Sequence, residues 1–417
     1  MNTNTNANTN EAPNTEFLEL TFVKETATGA GLNQQIQMEN NGDGTFHVTD
    51  GRIGIKVGPK KPKQYNLPIE DWDKFYFSKI SRGYLLTKTK KMETKEVEVG
   101  KHKPIPDKIV HELVERLMAY ANQAMEENFT VKVEAISDEM IEYGKNVLAD
   151  LSKNANKMSV AEFNGKLKVL YAAIPRRIDK LSNKLAKDKA SFAEILDEEQ
   201  EIFDLMLSQV KLATSGGSNQ TILEELGIFI RPETEKEIEE TKKLLKEQKD
   251  KYLRSWKVEN AKTKKIFDKY IKKENLSEGK GVDFLWHGSK HQNWWSIITN
   301  GLLLNPDAVI TGKAYGQGTY FAPDPIKSLG YTSRAGAKWT NGTMDTGFMG
   351  IYRVATGNRY NGHLGCDTTL NYKKLQQIQP GAHCTWAECR YSHFMMDEVI
   401  VYQECQSDID RLVELAM

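Results

Sequence analysis

Between residues 284 and 331 the chain gathers three kinds of group that suit a nucleotide pocket: a His beside a glycine, a Gly-x-Gly turn and several aromatics. Phe284-Leu-Trp is apolar and stops at His287-Gly288, which predicts a buried strand delivering a polar tip. A His followed by Gly approaches a ligand with both its ring and a bare backbone amide. Gly316 and Gly318 permit tight backbone geometry directly before Tyr320-Phe321, and Tyr331 offers a further flat face for stacking on a ring.

Taken singly, each piece has an ordinary reading. A His at a strand end is commonly just hydrogen-bonded, and this Gly-x-Gly lacks the third glycine and following helix of a Rossmann loop. Order and spacing over more than a hundred residues carry the argument. His-Gly-Ser at 287–289, Gly-x-Gly-x-Tyr-Phe-Ala at 316–322, Lys327-Ser328 with Tyr331, and Asp397-Glu-Val-Ile-Val-Tyr402 together resemble the catalytic domain of the poly(ADP-ribose) polymerase family. The resemblance supplies His287, Tyr320 and Glu398 as that family's His-Tyr-Glu set, and implies NAD+ as substrate with no metal. It assigns the Gly288 backbone and the Ser328 hydroxyl to the nicotinamide carboxamide, with Lys327 beside them. Tyr331 and Tyr320 fall to the two faces of the nicotinamide ring, and His287, Ser289 and Asn293 to the adenosine-ribose end. Glu398 is then the group that binds the nicotinamide-ribose 2′-OH, stabilises the oxocarbenium ion and polarises an acceptor hydroxyl. A Glu there resembles the chain-elongating form. Two alternatives stand beside it, a mono-ADP-ribosyltransferase and a catalytically silent DNA-binding or interaction protein.

The elements that must position these groups follow from composition and pattern. At 417 residues, several cores can be buried. The 57 basic and 57 acidic residues cancel, so net charge selects no partner. Four cysteines near the C-terminus form no even framework and no apolar signal segment opens the chain, which predicts an intracellular setting: the nucleus in a eukaryote, the cytoplasm or nucleoid in a bacterium. No apolar run approaches the roughly 18 residues of a membrane helix, so no membrane partner is expected. Cys384, Cys389, His383 and His393 lack the spacing of a zinc site.

Residues 1–16 are Asn- and Thr-rich and predict a disordered tail. Over 17–103, short alternating runs at Phe17–Val23, Asn33–Met38, Thr45–Val48 and Ile53–Val57 are separated by turn residues, including Asn41-Gly-Asp-Gly44 and Asp50-Gly51. An amphipathic stretch from Asp71 to Leu86 follows, predicting a small antiparallel sheet with one helix. Residues 52–103 hold 14 Lys and Arg against 6 Asp and Glu, a local net of +8 that suits a phosphate-rich partner. Strand order and Gly51-Arg52-Ile53-Gly54 resemble the WGR domain of DNA-damage-responsive relatives, which implies binding to DNA with strand breaks through Arg52. The name-giving Trp is Asp50 here.

Pro104 and Pro106 mark a linker, after which the period becomes 3.6, with Ile109, Val110, Leu113, Val114, Leu117, Met118 and Ala121 on one face. Ser159-Val-Ala-Glu162 and Ser191-Phe-Ala-Glu194 read as capping boxes. An all-α bundle over 104–213 results, similar to the regulatory helical domain of the same family, with Glu194, Asp197 and Glu201 on one helix face. Residues 217–417, beyond Thr214-Ser-Gly-Gly-Ser218, form the ADP-ribosyltransferase catalytic domain, a mixed α+β fold. The whole is a multidomain α+β protein, expected to modify acceptor proteins including itself.

Overall fold

The computed structural model describes residues 11–25, 31–52, 62–89, 102–178, 180–214, 219–304, 313–337, 340, 342–361, 366–392 and 394–416. The expected strand Ile53–Val57 and His393 lie outside these residues. Described residues within Met1–Glu98 and Met125–Glu199 form one compact unit; those within Val99–Ala124 and Gln200–Met417 form a second.

Alternation builds the first unit. Strands Lys63–Pro68, Thr45–Arg52, Gly31–Asn40, Phe17–Glu25 and Leu85–Lys88 pair antiparallel in that spatial order. Leu18, Leu20, Ile36, Met38, Phe46 and Val48 project from one face onto Trp72 and Tyr76 of the helix Trp72–Ile80. Two sequence expectations change here. Asp50-Gly51 is not a turn, because Asp50 is paired on both sides, with Ile36 and with Lys63. The amphipathic stretch to Leu86 breaks at Gly83, whose φ of +87° ends the helical run, and Leu85 then begins the edge strand. The tail expected over 1–16 is fixed from Ala12 onward: Ala12 N–H donates to Asp73 (2.7 Å), and the indole N–H of buried Trp72 donates to the Asn14 carbonyl (2.8 Å). The opposite, polar face of the sheet is tied to helical segments by Thr21, whose hydroxyl donates to the Ala172 carbonyl, and by Asn33, whose amide donates to that of Arg176. Helices Asp138–Asn154 and Val160–Ala173 lie here, the second opened by the Ser159–Glu162 capping box and closed ahead of Pro175.

In the second unit, a six-stranded sheet runs Ile228–Pro232, Tyr252–Asn260, Ser407–Ala416, Thr346–Ala355, Gly281–Gly288 and Ser277–Glu278. A four-stranded sheet runs Thr319–Phe321, Glu398–Val401, Cys384–Ala387 and Arg359–Tyr360. The two are linked where Trp286 and Ala322 exchange backbone hydrogen bonds of 2.9 and 2.8 Å. Trp256, Leu412, Val413, Met349, Ile351 and Trp286 fill the interior. The strand expected from Leu226 starts later, at Ile228, because Leu226 closes a short helix, Ile222–Leu226, capped by Gly227 in the left-handed conformation. The charged run 233–250 is the helix Glu235–Leu245 followed by a 3-10 segment, Lys246–Lys251. From the helix Lys108–Asn128 this unit takes Val110, Leu113, Val114, Leu117 and Ala121 as buried residues, whereas Ile109 is exposed. Among the described residues no helix is long and apolar enough to cross a membrane, and no group of three His, Cys, Asp or Glu is placed to hold a metal.

Candidate active site

The strand Gly281–Gly288 carries the first site residues to its end. Leu285 and Trp286 are buried, as the apolar run predicts, but Phe284 is 37% exposed and packs on the outside of the sheet. Pairing with Thr346–Ala355 sets His287 opposite Gly350 and Gly288 opposite Met349. The His287 ring lies among Phe321, Tyr352 and Trp294, with centroids 5.7, 6.0 and 6.5 Å away. Its Nδ1 is 2.9 Å from the Tyr320 carbonyl oxygen, which only accepts, so Nδ1 carries the proton and Nε2 is left as an acceptor. Burial pushes the imidazole down to about 4, so the ring is neutral at physiological pH.

The Gly-x-Gly segment owes its glycines to close approach. Gly316 has φ +71°, and a Cβ there would sit 2.0 Å from the Leu370 carbonyl oxygen; one on Gly318 would sit 2.2 Å from Ile400 Cγ2. The turn therefore lies flat on the strand Glu398–Val401, with Tyr320 opposite Ile400 and Phe321 opposite Val399. The Tyr320 hydroxyl accepts from the Tyr315 N–H (2.7 Å) and donates to the Gly316 carbonyl (3.3 Å), which fixes the ring.

Glu398 heads its strand, opposite Ala387, and is 4% exposed. Its Oε1 is 2.6 Å from Lys327 Nζ, which also stands 4.8 Å over the Phe394 ring. Burial raises the Glu398 carboxyl and the Lys327 ammonium opposes that rise. Ser328, buried on the helix Pro325–Leu329, touches Gly288 so closely that a Cβ on Gly288 would lie 1.9 Å from the Ser328 carbonyl oxygen. That same carbonyl accepts the Tyr331 N–H at 3.0 Å, and the turn leaves the Tyr331 ring 39% exposed. Its hydroxyl is pushed up to about 12 by burial and by the charge of Glu398. The Asn293 amide donates to the Ser289 hydroxyl at 3.0 Å.

The structure thus joins His287 to Tyr320, Gly288 to Ser328, Lys327 to Glu398 and Ser289 to Asn293. Arg52 belongs to the other unit, exposed at the end of its strand and opposite Gln34. Three features escaped sequence reasoning. Asp397 accepts from the Cys389 N–H (2.9 Å) and the Trp386 indole (3.3 Å), anchoring the segment that leads into Glu398. Lys290, inside the 287–293 segment, pairs with Glu201 at 3.1 Å. Buried His291 stacks on Tyr120 with ring centres 4.6 Å apart. None lies at a spacing that periodicity reports.

Residues 233–415 match the poly(ADP-ribose) polymerase catalytic domain family. The poly(ADP-ribose) polymerase-like protein 100L of Invertebrate iridescent virus 6 is 31% identical over 166 residues, covering 38% of this chain and 82% of that protein. The chain belongs to the poly(ADP-ribose) polymerase family. Protein 101L of the same virus, uncharacterised by its description, is 26% identical over 179 residues, which is 43% of this chain and 73% of the relative. Human poly(ADP-ribose) polymerase 2 is 39% identical over 103 residues, 24% of this chain and 15% of the human protein.

The protein is an NAD+ ADP-ribosyltransferase. The residues present fit that substrate. Loss of nicotinamide from NAD+ leaves an oxocarbenium-like ribose, and the transition state is favoured by a fixed negative charge close to it in a site shielded from water. Buried Glu398 has that character, and neutral His287 has an acceptor nitrogen for a sugar hydroxyl.

The Lys327 ammonium opposes the rise that burial imposes on the Glu398 carboxyl. Replacing it, as in Lys327→Met, is expected to move the acid limb of the kcat–pH profile to higher pH, because the carboxyl loses the charge that holds its pKa down and is protonated sooner as pH falls. A profile that stays in place would remove Lys327 from this role.

Proposed function

We propose that this transferase builds poly(ADP-ribose), adding ADP-ribose from NAD+ to protein side chains, its own included, and then to the growing chain, and that DNA with strand breaks activates it. The observation that carries the polymerase reading is the Glu398 carboxylate, buried and paired with Lys327 at 2.6 Å. The Gly288 amide and Ser328 would hold the nicotinamide carboxamide, and Tyr331 and Tyr320 its ring. His287, Ser289 and Asn293 would hold the adenosine ribose. Glu398 would bind the 2′-OH of the nicotinamide ribose. As the glycosidic bond breaks, its charge faces the oxocarbenium carbon, and the carboxylate accepts a hydrogen bond from the attacking hydroxyl, whether of a protein or of a ribose already attached. Carboxylate assistance to a ribose hydroxyl is what chain elongation needs.

The unit built on the sheet at 17–88 is read as WGR-like and the helices over 104–213 as the regulatory domain. Support for DNA as partner is the +8 charge over 52–103 and the exposed guanidinium of Arg52. Binding that rests on phosphate contacts falls steeply with salt. On this reading the protein works where the genome is, in the nucleus of a eukaryote or the nucleoid of a bacterium. The test is NAD+ consumption and product length on gels, with and without nicked DNA across a salt series. Long polymer and salt-sensitive stimulation are expected; single-unit products or indifference to DNA would overturn the corresponding half.

Regulation by the helices has a specific support in the Glu201–Lys290 pair, which holds the helix Phe192–Thr214 against the segment that carries Ser289 and Asn293. Both side chains are partly exposed, so such a pair contributes about 0.2–1 kcal/mol. Glu201→Gln is then expected to raise DNA-independent activity by about 1.5- to fivefold. An unchanged basal rate would discard the contact as a restraint. The point variant is cleaner than removing 104–213, because that deletion also strips Arg116 from buried Glu414 and Tyr120 from His291.

A further inference from the structure

An oxocarbenium carbon is captured by whichever nucleophile reaches it, and water is the most abundant one. A carboxylate that accepts a hydrogen bond from an acceptor hydroxyl accepts one equally well from water. Glu398 by itself therefore does not decide whether ADP-ribose is transferred or lost to solvent. That choice falls to the groups that cover the carboxylate.

Strand pairing identifies the face on which they lie. Glu398 pairs with Ala387, so the two side chains project from one face of the sheet, and alternation adds Ile400, which pairs with Tyr320. Phe394, partly buried, packs against the cluster that contains Ala387 and Ile400, with Tyr320 at its margin. Its ring is therefore on the Glu398 face. It stands 4.8 Å from Lys327 Nζ, the ammonium that pairs with Glu398 at 2.6 Å, and meets the Tyr315 ring edge-to-face with centres 5.5 Å apart. Beside this ring the Glu398 and Lys327 side chains are only 5% and 10% exposed. Phe394 lies in the segment that joins the strands Cys384–Ala387 and Glu398–Val401, and that segment is pinned. The Ser392 N–H donates to the Glu388 carbonyl (2.8 Å), the Phe394 N–H donates to the Ser392 hydroxyl (3.2 Å), and Asp397 accepts from Cys389.

We propose that Phe394 sets the choice between transfer and hydrolysis, as a cover over Glu398 that a bound acceptor displaces and water does not. This rests on the reading of Glu398 as the carboxylate that faces the reacting carbon. In both outcomes the C1′–N bond breaks and nicotinamide leaves with the electron pair. The carbon then bonds to an oxygen whose proton passes by way of Glu398 to solvent. Water gives free ADP-ribose, and an acceptor hydroxyl gives attached ADP-ribose. Moving the Phe394 ring breaks its contacts with Lys327 and Tyr315. An acceptor offsets that loss with its own contacts to the protein, whereas a water molecule has none to offer.

The test is the ratio of free ADP-ribose to ADP-ribose attached to protein or polymer, measured with labelled NAD+ for wild type, Phe394→Ala and Phe394→Leu in the full chain. Unfolded molecules make neither product, so the ratio does not depend on how much of a variant folds. In Phe394→Ala the ratio is expected to rise about tenfold, the scale of one aromatic contact removed from the barrier that water meets. Phe394→Leu, still apolar, should recover most of the wild-type ratio. Added methanol, a small nucleophile without acceptor contacts, should yield more methyl ADP-ribose in Phe394→Ala than in wild type. A ratio unchanged in Phe394→Ala would overturn the proposal alone, as would free and attached product falling in step, which would show that Phe394 merely packs its segment. Wild type that yields only free ADP-ribose would overturn it too, since nothing would then be excluding water. Both products formed in Glu398→Gln at the wild-type rate would instead overturn the reading of Glu398.

Discussion

Glu398→Gln is expected to slow nicotinamide release by about 10²- to 10³-fold, with ADP-ribose chain elongation lost and NAD+ affinity altered far less. The amide keeps the shape of the carboxylate and can still meet a ribose hydroxyl, but it removes the negative charge that faces the oxocarbenium carbon. A second consequence follows from the site itself. Lys327, whose side chain is 10% exposed, would lose the carboxylate it pairs with, and any positive charge it retains would oppose the positive charge that develops in the transition state. The double variant with Lys327→Met should accordingly be no slower than Glu398→Gln alone, an interaction that only a double-mutant cycle reports. Single-turnover kinetics separate the chemical step from binding. A rate within tenfold of wild type, or polymer of unchanged length, would remove Glu398 from its role.

Gly288→Ala should do comparable damage by a steric route. The added methyl would lie 1.9 Å from the Ser328 carbonyl oxygen and 2.7 Å from its carbonyl carbon, both backbone atoms that no side-chain rotation relieves. Either the strand end at His287 or the helix Pro325–Leu329 must shift, and both carry groups proposed to bind nicotinamide. Overpacking of this kind costs about 3 kcal/mol, a fall in Tm of roughly 6–12 °C. Nicotinamide binding should be lost even where the protein remains folded. A variant that binds nicotinamide normally and melts within a degree or two of wild type would show that this contact is not part of the pocket.

How much of this was legible beforehand depended on whether the signal was local. The strand ending at His287 could be read because an apolar run stops at a glycine, and Gly316 and Gly318 because a turn residue type precedes aromatics. The central strand Ser407–Ala416 could not. It is buried on both faces, so alternation disappears: Leu412 and Val413 are adjacent and both buried, with Arg411 and Glu414 on either side. Those charges are tolerated because Arg411 meets Glu233 and Glu240, and Glu414 meets Arg116 and Arg254, partners more than 150 residues away in sequence. A register shift between Ile351 and Tyr352 on the neighbouring strand blurs the pattern further. Asp50-Gly51 misled in the opposite sense, since turn-forming residue types were overridden by strands on both sides. The pairing of Lys327 with Glu398 joins positions that no periodicity connects, so its charge balance emerged only from the fold.

The most direct measurement is a time course on the wild-type chain at saturating labelled NAD+, counting nicotinamide released against ADP-ribose covalently attached to protein or polymer. ADP-ribosyl transfer from this site predicts that the two rise together in nearly equal amounts, and that both collapse in Glu398→Gln. Nicotinamide released into free ADP-ribose with none attached, or attachment that survives Glu398→Gln at the wild-type rate, would contradict it.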